Sequence, residues 1–248
     1  MIKQNKNIAI EVKNLSKSFK SKLVLDNISF NVQQGSITGF FGPNGAGKTT
    51  TMRIILGLLY PNSGCAKVFG EDVDKSSDIR NRIGVLLEQN GMSDRLSAYD
   101  NLDYYATIYN IKDKQEKINS LLKQMGLFER KNEKIGTFST GMKKKLGLAR
   151  ALLNDPDILF LDEPTVGLDP DAQKEFRNLI LDLSKQKKLT VLLNTHNLNE
   201  AQKVCTDIIV INNTKIRYSG NLKETLQKYK TRDLEKVYFE VVKNNGLV

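Results

Sequence analysis

Gly42–Thr50 reads GPNGAGKTT, and this stretch decides the fold. Gly42, Gly47, Lys48 and Thr49 occupy the fixed positions of the pattern G-x-x-x-x-G-K-[ST]. Upstream lies an apolar run of strand length, Ile37 to Phe41. Downstream, Met52, Ile55, Leu56 and Leu59 recur at i, i+3, i+4 and i+7, the stripe of a helix with one buried face. A glycine-rich loop between a strand and a helix has a definite chemistry. Glycines let the backbone curl so that successive N–H groups converge on phosphate oxygens. The helix that starts there adds the positive end of its dipole. Gly42, Pro43, Asn44, Gly45, Ala46 and Gly47 are therefore the candidate phosphate cradle. Lys48 is placed to reach the β- and γ-phosphates, the Thr49 hydroxyl to ligate Mg²⁺, and Thr50 lies by the α-phosphate. By chance alone the pattern is expected on the order of once per hundred chains of this length.

The stretch resembles the P-loop of nucleoside triphosphatases, and the rest of the chain has to say which kind. Its 248 residues suit one large domain, or one domain with an inserted subdomain, and leave ample chain for a buried core. No apolar run approaches the roughly 18 residues of a membrane-crossing helix. The opening, MIKQNKNIAIEVK, has neither an apolar core segment nor a cleavage site, so no secretory signal is expected. Cys65 and Cys205 have no partner spacing and read as buried bystander thiols of a reducing compartment. The net charge of +10 permits nucleic acid or an anionic surface as partner. The lysines are spread along the chain, however, and no aromatic-basic stacking pattern accompanies them, so a solvated surface and no nucleic-acid partner are expected. The one sharp run, Lys143-Lys144-Lys145, reads as three solvated cations on a helical turn.

Two alternating runs, Ile8-Ile10-Val12 and Ile28-Phe30-Val32, predict a small antiparallel unit ahead of the P-loop. Phe19, between them, is either a core or edge aromatic or an adenine-stacking ring. Short strands are expected over Cys65 to Gly70 and Ile83 to Leu87. Residues 97–153 then carry helical stripes: Leu102, Tyr105, Ala106 and Tyr109; Ile118, Leu121, Leu122 and Met125; Met142, Leu146, Ala149 and Leu153. The strand-and-helix rhythm resumes at Ile158 with ILFLDEP, a helix capped by Asp169-Pro170, a β-rich run ending at Thr195-His196, a helix capped by Asn197, and a closing hairpin over Ile208 to Tyr218. Beyond Asn221 a short helix and a tail with one alternating patch, Val237-Phe239-Val241, are expected. The fold class is α/β: a P-loop core with a parallel sheet, an N-terminal antiparallel β subdomain, and a helical subdomain inserted over about residues 92–153. The main domain spans 1–220, with a short extension over 221–248.

Asp162 and Glu163 close a strand expected to lie beside the P-loop strand, and ligands of parallel sheets sit at the carboxyl ends of strands. Asp162 suits Mg²⁺ held through water, and Glu163 suits a general base on an attacking water.

Phe138-Ser139-Thr140-Gly141-Met142 is similar to the signature motif of ABC-transporter ATPases, usually LSGGQ, with Thr140 and Met142 as departures. The order of parts matches that family over about residues 8–220: Phe19 at the A-loop, GPNGAGKTT, a Q-loop region, FSTGM, LFLDEP, Val166-Gly167-Leu168-Asp169 at the D-loop, and His196 at the switch. The resemblance implies a Mg²⁺-dependent ATPase working as a head-to-tail dimer, expected to be a homodimer. Each ATP then sits between one chain's P-loop and the other's Ser139, Thr140 and Gly141. It also implies His196 as the γ-phosphate sensor, Glu88 or Gln89 as the Q-loop metal contact, and separate membrane permease subunits as partners. The expected place is the cytoplasmic face of the cell membrane, and the signature variant resembles the branch serving drug, antibiotic and peptide exporters. A soluble ABC ATPase of cofactor assembly, or one acting on nucleic acid or ribosomes, shares the same motifs.

Overall fold

The structure is a computed structural model that describes residues 8–73, 75, 78–87 and 91–243. In chain order the elements are β1 (Ile8–Phe19), β2 (Lys22–Gln33), β3 (Ile37–Phe41), α1 (Lys48–Ile55), β4 (Ser63–Val68), β5 (Glu71–Asp72), β6 (Ile83–Leu86), α2 (Ala98–Ile108), α3 (Lys114–Gln124), α4 (Thr140–Ala151), β7 (Ile158–Asp162), α5 (Pro170–Lys187), β8 (Thr190–Asn194), α6 (Leu198–Gln202), β9 (Asp207–Asn212), β10 (Lys215–Asn221), α7 (Leu222–Lys228) and α8 (Leu234–Lys243). They form two compact units. One runs to Arg80 and resumes at Leu183, and the other spans Asn81–Asp182.

In the first unit β1 and β2 form an antiparallel pair, and β4 pairs antiparallel with the other edge of β1, followed by β5. The expected antiparallel unit is present, but it also recruits chain from beyond α1. Its inward residues Ile10, Val12, Leu15, Leu25, Ile28 and Val32 are buried, as alternation requires of a sheet with one covered face. The core strand β3 is flanked by two parallel neighbours, β8 and β9, and β10 returns antiparallel to β9. The strand beside the P-loop strand is therefore not the one carrying Asp162, as the sequence suggested. Both places are filled by β8 and β9. All five residues of β3 and of β8 are buried, the mark of strands covered on both faces.

The tail beyond β10 differs from its alternating reading. Asn221 caps α7, its side-chain oxygen accepting from the N–H groups of Lys223 and Glu224. Val237-Phe239-Val241 lies in α8, where Leu234, Val237 and Val241 form a buried i, i+3, i+7 stripe and Phe239 is left 60% exposed. Apolar residues four apart fit either period, and packing on α6, β9 and β10 selects the helix. Cys205 is buried and Cys65 only half-buried, and both are free thiols. Burial raises the Cys205 thiol pKa.

In the second unit β6 and β7 are parallel, with Leu86 opposite Leu161. The helices α2, α3 and α4 pack on one another through Leu102, Ala106, Ile118, Leu121, Leu122, Leu146 and Ala149, all buried. The first expected stripe is corrected at one end: Tyr109 is exposed, because Ala98, Asn101, Leu102 and Ala106 face inward instead. Ser97 caps α2, accepting from the Asp100 N–H, and Asp169 caps α5, accepting from the Ala172 N–H.

Candidate nucleotide-binding and hydrolysis site

In the first unit the P-loop follows the carboxyl end of β3 and opens directly into α1. Ala46 donates its N–H back to the Pro43 carbonyl at 3.2 Å, which closes the loop on itself. Gly47 caps the helix with φ +110°, and no side chain caps that end. The leading amides of α1 are thus left facing outward, as an anion cradle needs. A Cβ on Gly47 would stand 2.5 Å from Leu25 Cδ2 and 2.9 Å from the Val24 carbonyl, so close packing as well as φ demands glycine there. Pro43, Asn44, Gly45 and Thr49 are exposed along the loop, Gly42 and Thr50 are half-buried, and Ala46, Gly47 and Lys48 are buried. Lys48 Nζ donates to the carbonyls of Gly42 at 2.7 Å and Pro43 at 3.2 Å, so its ammonium is held over the loop.

Register brings His196 to the same edge. Phe40 lies opposite Asn194 in the parallel pair β3–β8, so Gly42 and His196 are each two residues past a matched position. His196 is exposed. The turn that carries it is fixed by Thr195, buried, whose Oγ1 accepts from the Asn197 N–H at 3.1 Å, and by the Asn197 cap on the Glu200 N–H at 3.0 Å. Phe19 sits at the β1–β2 turn opposite Lys22, 47% exposed, with the Lys17 ammonium 5.3 Å from its ring centroid. A half-open ring on a hairpin offers a face for a flat heterocycle.

The second unit carries the carboxylates and the signature stretch. Asp162 ends β7, half-buried. Glu163 follows with φ +48°, the left-handed region. For a non-glycine residue this stores about 1–3 kcal/mol of strain, of the kind that clusters at functional sites. Its carbonyl accepts from the Val166 N–H and from Lys144 Nζ, each at 3.3 Å. Ser139 caps α4, its Oγ accepting from the Met142 N–H at 3.2 Å. Ser139 and Thr140 are exposed and Gly141 half-buried. Gly167, in the stretch after Glu163, has φ +79°, and a Cβ on it would lie 3.6 Å from Thr140 Cγ2.

The lysine run is not a solvated face. Lys143 pairs with Asp94 at 2.8 Å, Lys145 with Glu175 at 2.6 Å, and Lys144 is buried beneath Glu163. The signal was present in the sequence: Lys144, Gly147, Leu148 and Ala151 fall at i, i+3, i+4 and i+7, and all are buried. Glu88 and Gln89, the two Q-loop candidates, lie outside the described residues.

The chemistry of the first unit's loop fits a nucleoside triphosphate: a glycine cradle with an ammonium above it and an exposed Thr49 at its end. Comparison with known proteins agrees. The ABC transporter family model matches residues 25–166, more than half of the chain. The bacitracin transport ATP-binding protein BcrA of Bacillus licheniformis is 41% identical over 224 residues, 89% of this chain and 73% of that one. Among solved structures, an ATP-binding subunit of an ABC transporter superposes with a TM-score of 0.83 at 28% identity, covering 94% of this chain and 99% of that one. A dimeric post-hydrolysis ATP-binding cassette bound to ADP and Pi gives 0.76 at 26% identity, covering 86% and 98%. The chain belongs to the ABC transporter family, as an ATP-binding and ATP-hydrolysing subunit.

Proposed function

We propose that this ATPase works as a head-to-tail homodimer on the cytoplasmic membrane face and drives export through separate permease subunits. The carrying observation is a strip of exposed apolar side chains on the helical part of the second unit. Tyr104 (59% exposed) and Ile108 lie one turn apart on the outer side of α2, with exposed Tyr109 just after the helix and exposed Leu96 just before it. An exposed apolar strip of this kind marks an interaction surface. Among the described residues no helix is long and apolar enough to cross a membrane. The relative at 41% identity is a bacitracin transport protein, and another, of Burkholderia lata, is a Nod factor export ATP-binding protein. The cargo belongs in this reading to the drug, antibiotic and peptide classes that the signature variant suggests, and the permease recognises it.

In the proposed reaction Phe19 stacks on the adenine, and the amides of Gly42 to Thr50 hold the phosphates. Water attacks the γ-phosphorus in line, and the Glu163 carboxylate takes its proton. Lys48 and His196 stabilise charge on the γ-phosphoryl oxygens. Thr49 and Asp162 offer the hard oxygen donors that suit Mg²⁺, with Glu88 or Gln89 as a further contact, and the ion supplies charge neutralisation when bound. Ser139, Thr140 and Gly141 meet the ATP of the partner chain, with the start of α4 aimed at its γ-phosphate.

The test is a pull-down of tagged Glu163→Gln with ATP and Mg²⁺ from detergent-solubilised native membranes. A co-purifying chain with about six long apolar segments supports the export reading. Soluble partners alone would favour a cofactor-assembly ATPase.

A further inference from the structure

We infer that Lys144 is a positioning residue that ties the signature helix to the catalytic carboxylate of the same chain, and so links the two ATP sites of the dimer. The inference rests on the proposed role of Glu163 as general base. Lys144 is only 5% exposed, on the inward stripe of α4. A buried ammonium is costly unless oxygen atoms receive it, and Lys144 Nζ donates to the Glu163 carbonyl at 3.3 Å. That carbonyl belongs to the residue whose backbone sits in the left-handed region, φ +48°. Such a conformation persists only where its surroundings over-determine it, and the lysine is one of the contacts that hold it.

The other attachments of α4 make the link mechanical. Arg150 Nη2, near its far end, donates to the Val85 carbonyl of β6 at 3.1 Å. Arg150 also lies over the Tyr105 ring of α2 at 5.0 Å. Lys145 and Lys143 are held by Glu175 and Asp94. The helix is thus pinned to β6 through Arg150 and to the end of β7 through Lys144, while Ser139, its cap, is exposed. In the proposed dimer Ser139 touches the partner's nucleotide. A shift of the helix start on nucleotide binding therefore moves Lys144 and, with it, the Glu163 backbone. ATP in one site adjusts the base of the other.

The experiment measures steady-state ATPase kinetics and equilibrium ATP binding of the full chain carrying Lys144→Met, Lys144→Arg or Glu163→Gln, and of the double variant that combines Lys144→Met with Glu163→Gln. Lys144→Met is expected to lower kcat on the order of 10–100-fold, the effect of a misplaced catalytic group. Its KM and ATP affinity stay unchanged, and its Hill coefficient falls toward one. Lys144→Arg, which keeps the cation and donor, recovers most of kcat. In the Glu163→Gln background the methionine adds no further loss, because the lysine acts only through Glu163. If Lys144→Met does not fold, Lys144→Gln is read in its place with the same expected direction. Normal kcat and cooperativity in the folded loss variant overturn the inference, as does an undiminished further loss in the double variant. Normal turnover of Glu163→Gln by itself overturns the base assignment instead, whatever the lysine variants do.

Discussion

The P-loop and the signature stretch are both glycine-bearing turns into helices, and their glycines differ in what requires them. Gly47 is demanded by its own chain: φ +110°, with Leu25 and the Val24 carbonyl where a Cβ would go. Gly42 is similar, since a Cβ there would stand 2.3 Å from the Ile211 carbonyl. Gly141 lies within α4, and a Cβ on it would meet Ala172 at 3.6 Å and Leu168 at 3.8 Å, ordinary contact distances. Nothing among the described residues forbids a side chain at 141. A site finished by its own fold builds its constraints into its packing. In the proposed dimer the signature site is finished by a second molecule, and the small residue at 141 would keep room for that partner surface.

The sharpest way to break this contrast is substitution by alanine. Gly47→Ala combines strain with backbone overlap, and the expected loss is about 3 kcal/mol of stability. In thermal unfolding that corresponds to a Tm lower by about 6–12 °C for a chain of this size, with ATP binding lost as well. Gly42→Ala should lower stability by about 2 kcal/mol, because the obstacle is a carbonyl on a core strand that cannot swing aside. Gly141→Ala is expected to leave Tm unchanged or raise it slightly, since alanine in a helix is favoured over glycine by up to about 1 kcal/mol. Its ATPase rate should nevertheless fall by at least about tenfold, with ATP affinity of the isolated chain retained. A Gly141→Ala protein that unfolds early, or a Gly47→Ala protein that melts like the parent, would erase the distinction.

The same contrast explains what the sequence revealed. The P-loop, the capped helices at Ser97, Asp169 and Asn197, and the hairpin of β9 and β10 were legible because local chemistry specifies each of them. Strand order was not. Nothing in Ile37 to Phe41 says that β8 and β9 take both flanks of β3, because neighbours in a parallel sheet are chosen by packing of distant segments. The Val237-Phe239-Val241 patch misled because a short apolar run fits two periods, and its contacts with α6, β9 and β10 decide. Lys144 misled because a charge run invites a surface reading, while the helical period placed its middle residue under Glu163. Site residues named by motif need no knowledge of tertiary structure. A positioning residue is visible only once the fold brings its target within reach.

In the proposed dimer, hydrolysis is completed by a second chain. The most direct test is the mass in solution of Glu163→Gln with and without ATP and Mg²⁺, alongside the same protein with Gly141→Asp added. ATP is expected to double the mass of Glu163→Gln. Gly141→Asp should abolish the doubling while leaving ATP binding intact, because it sets a carboxylate against the partner's phosphates. A Glu163→Gln protein that binds ATP and stays monomeric, or one whose ATP-driven dimer ignores Gly141→Asp, would contradict it.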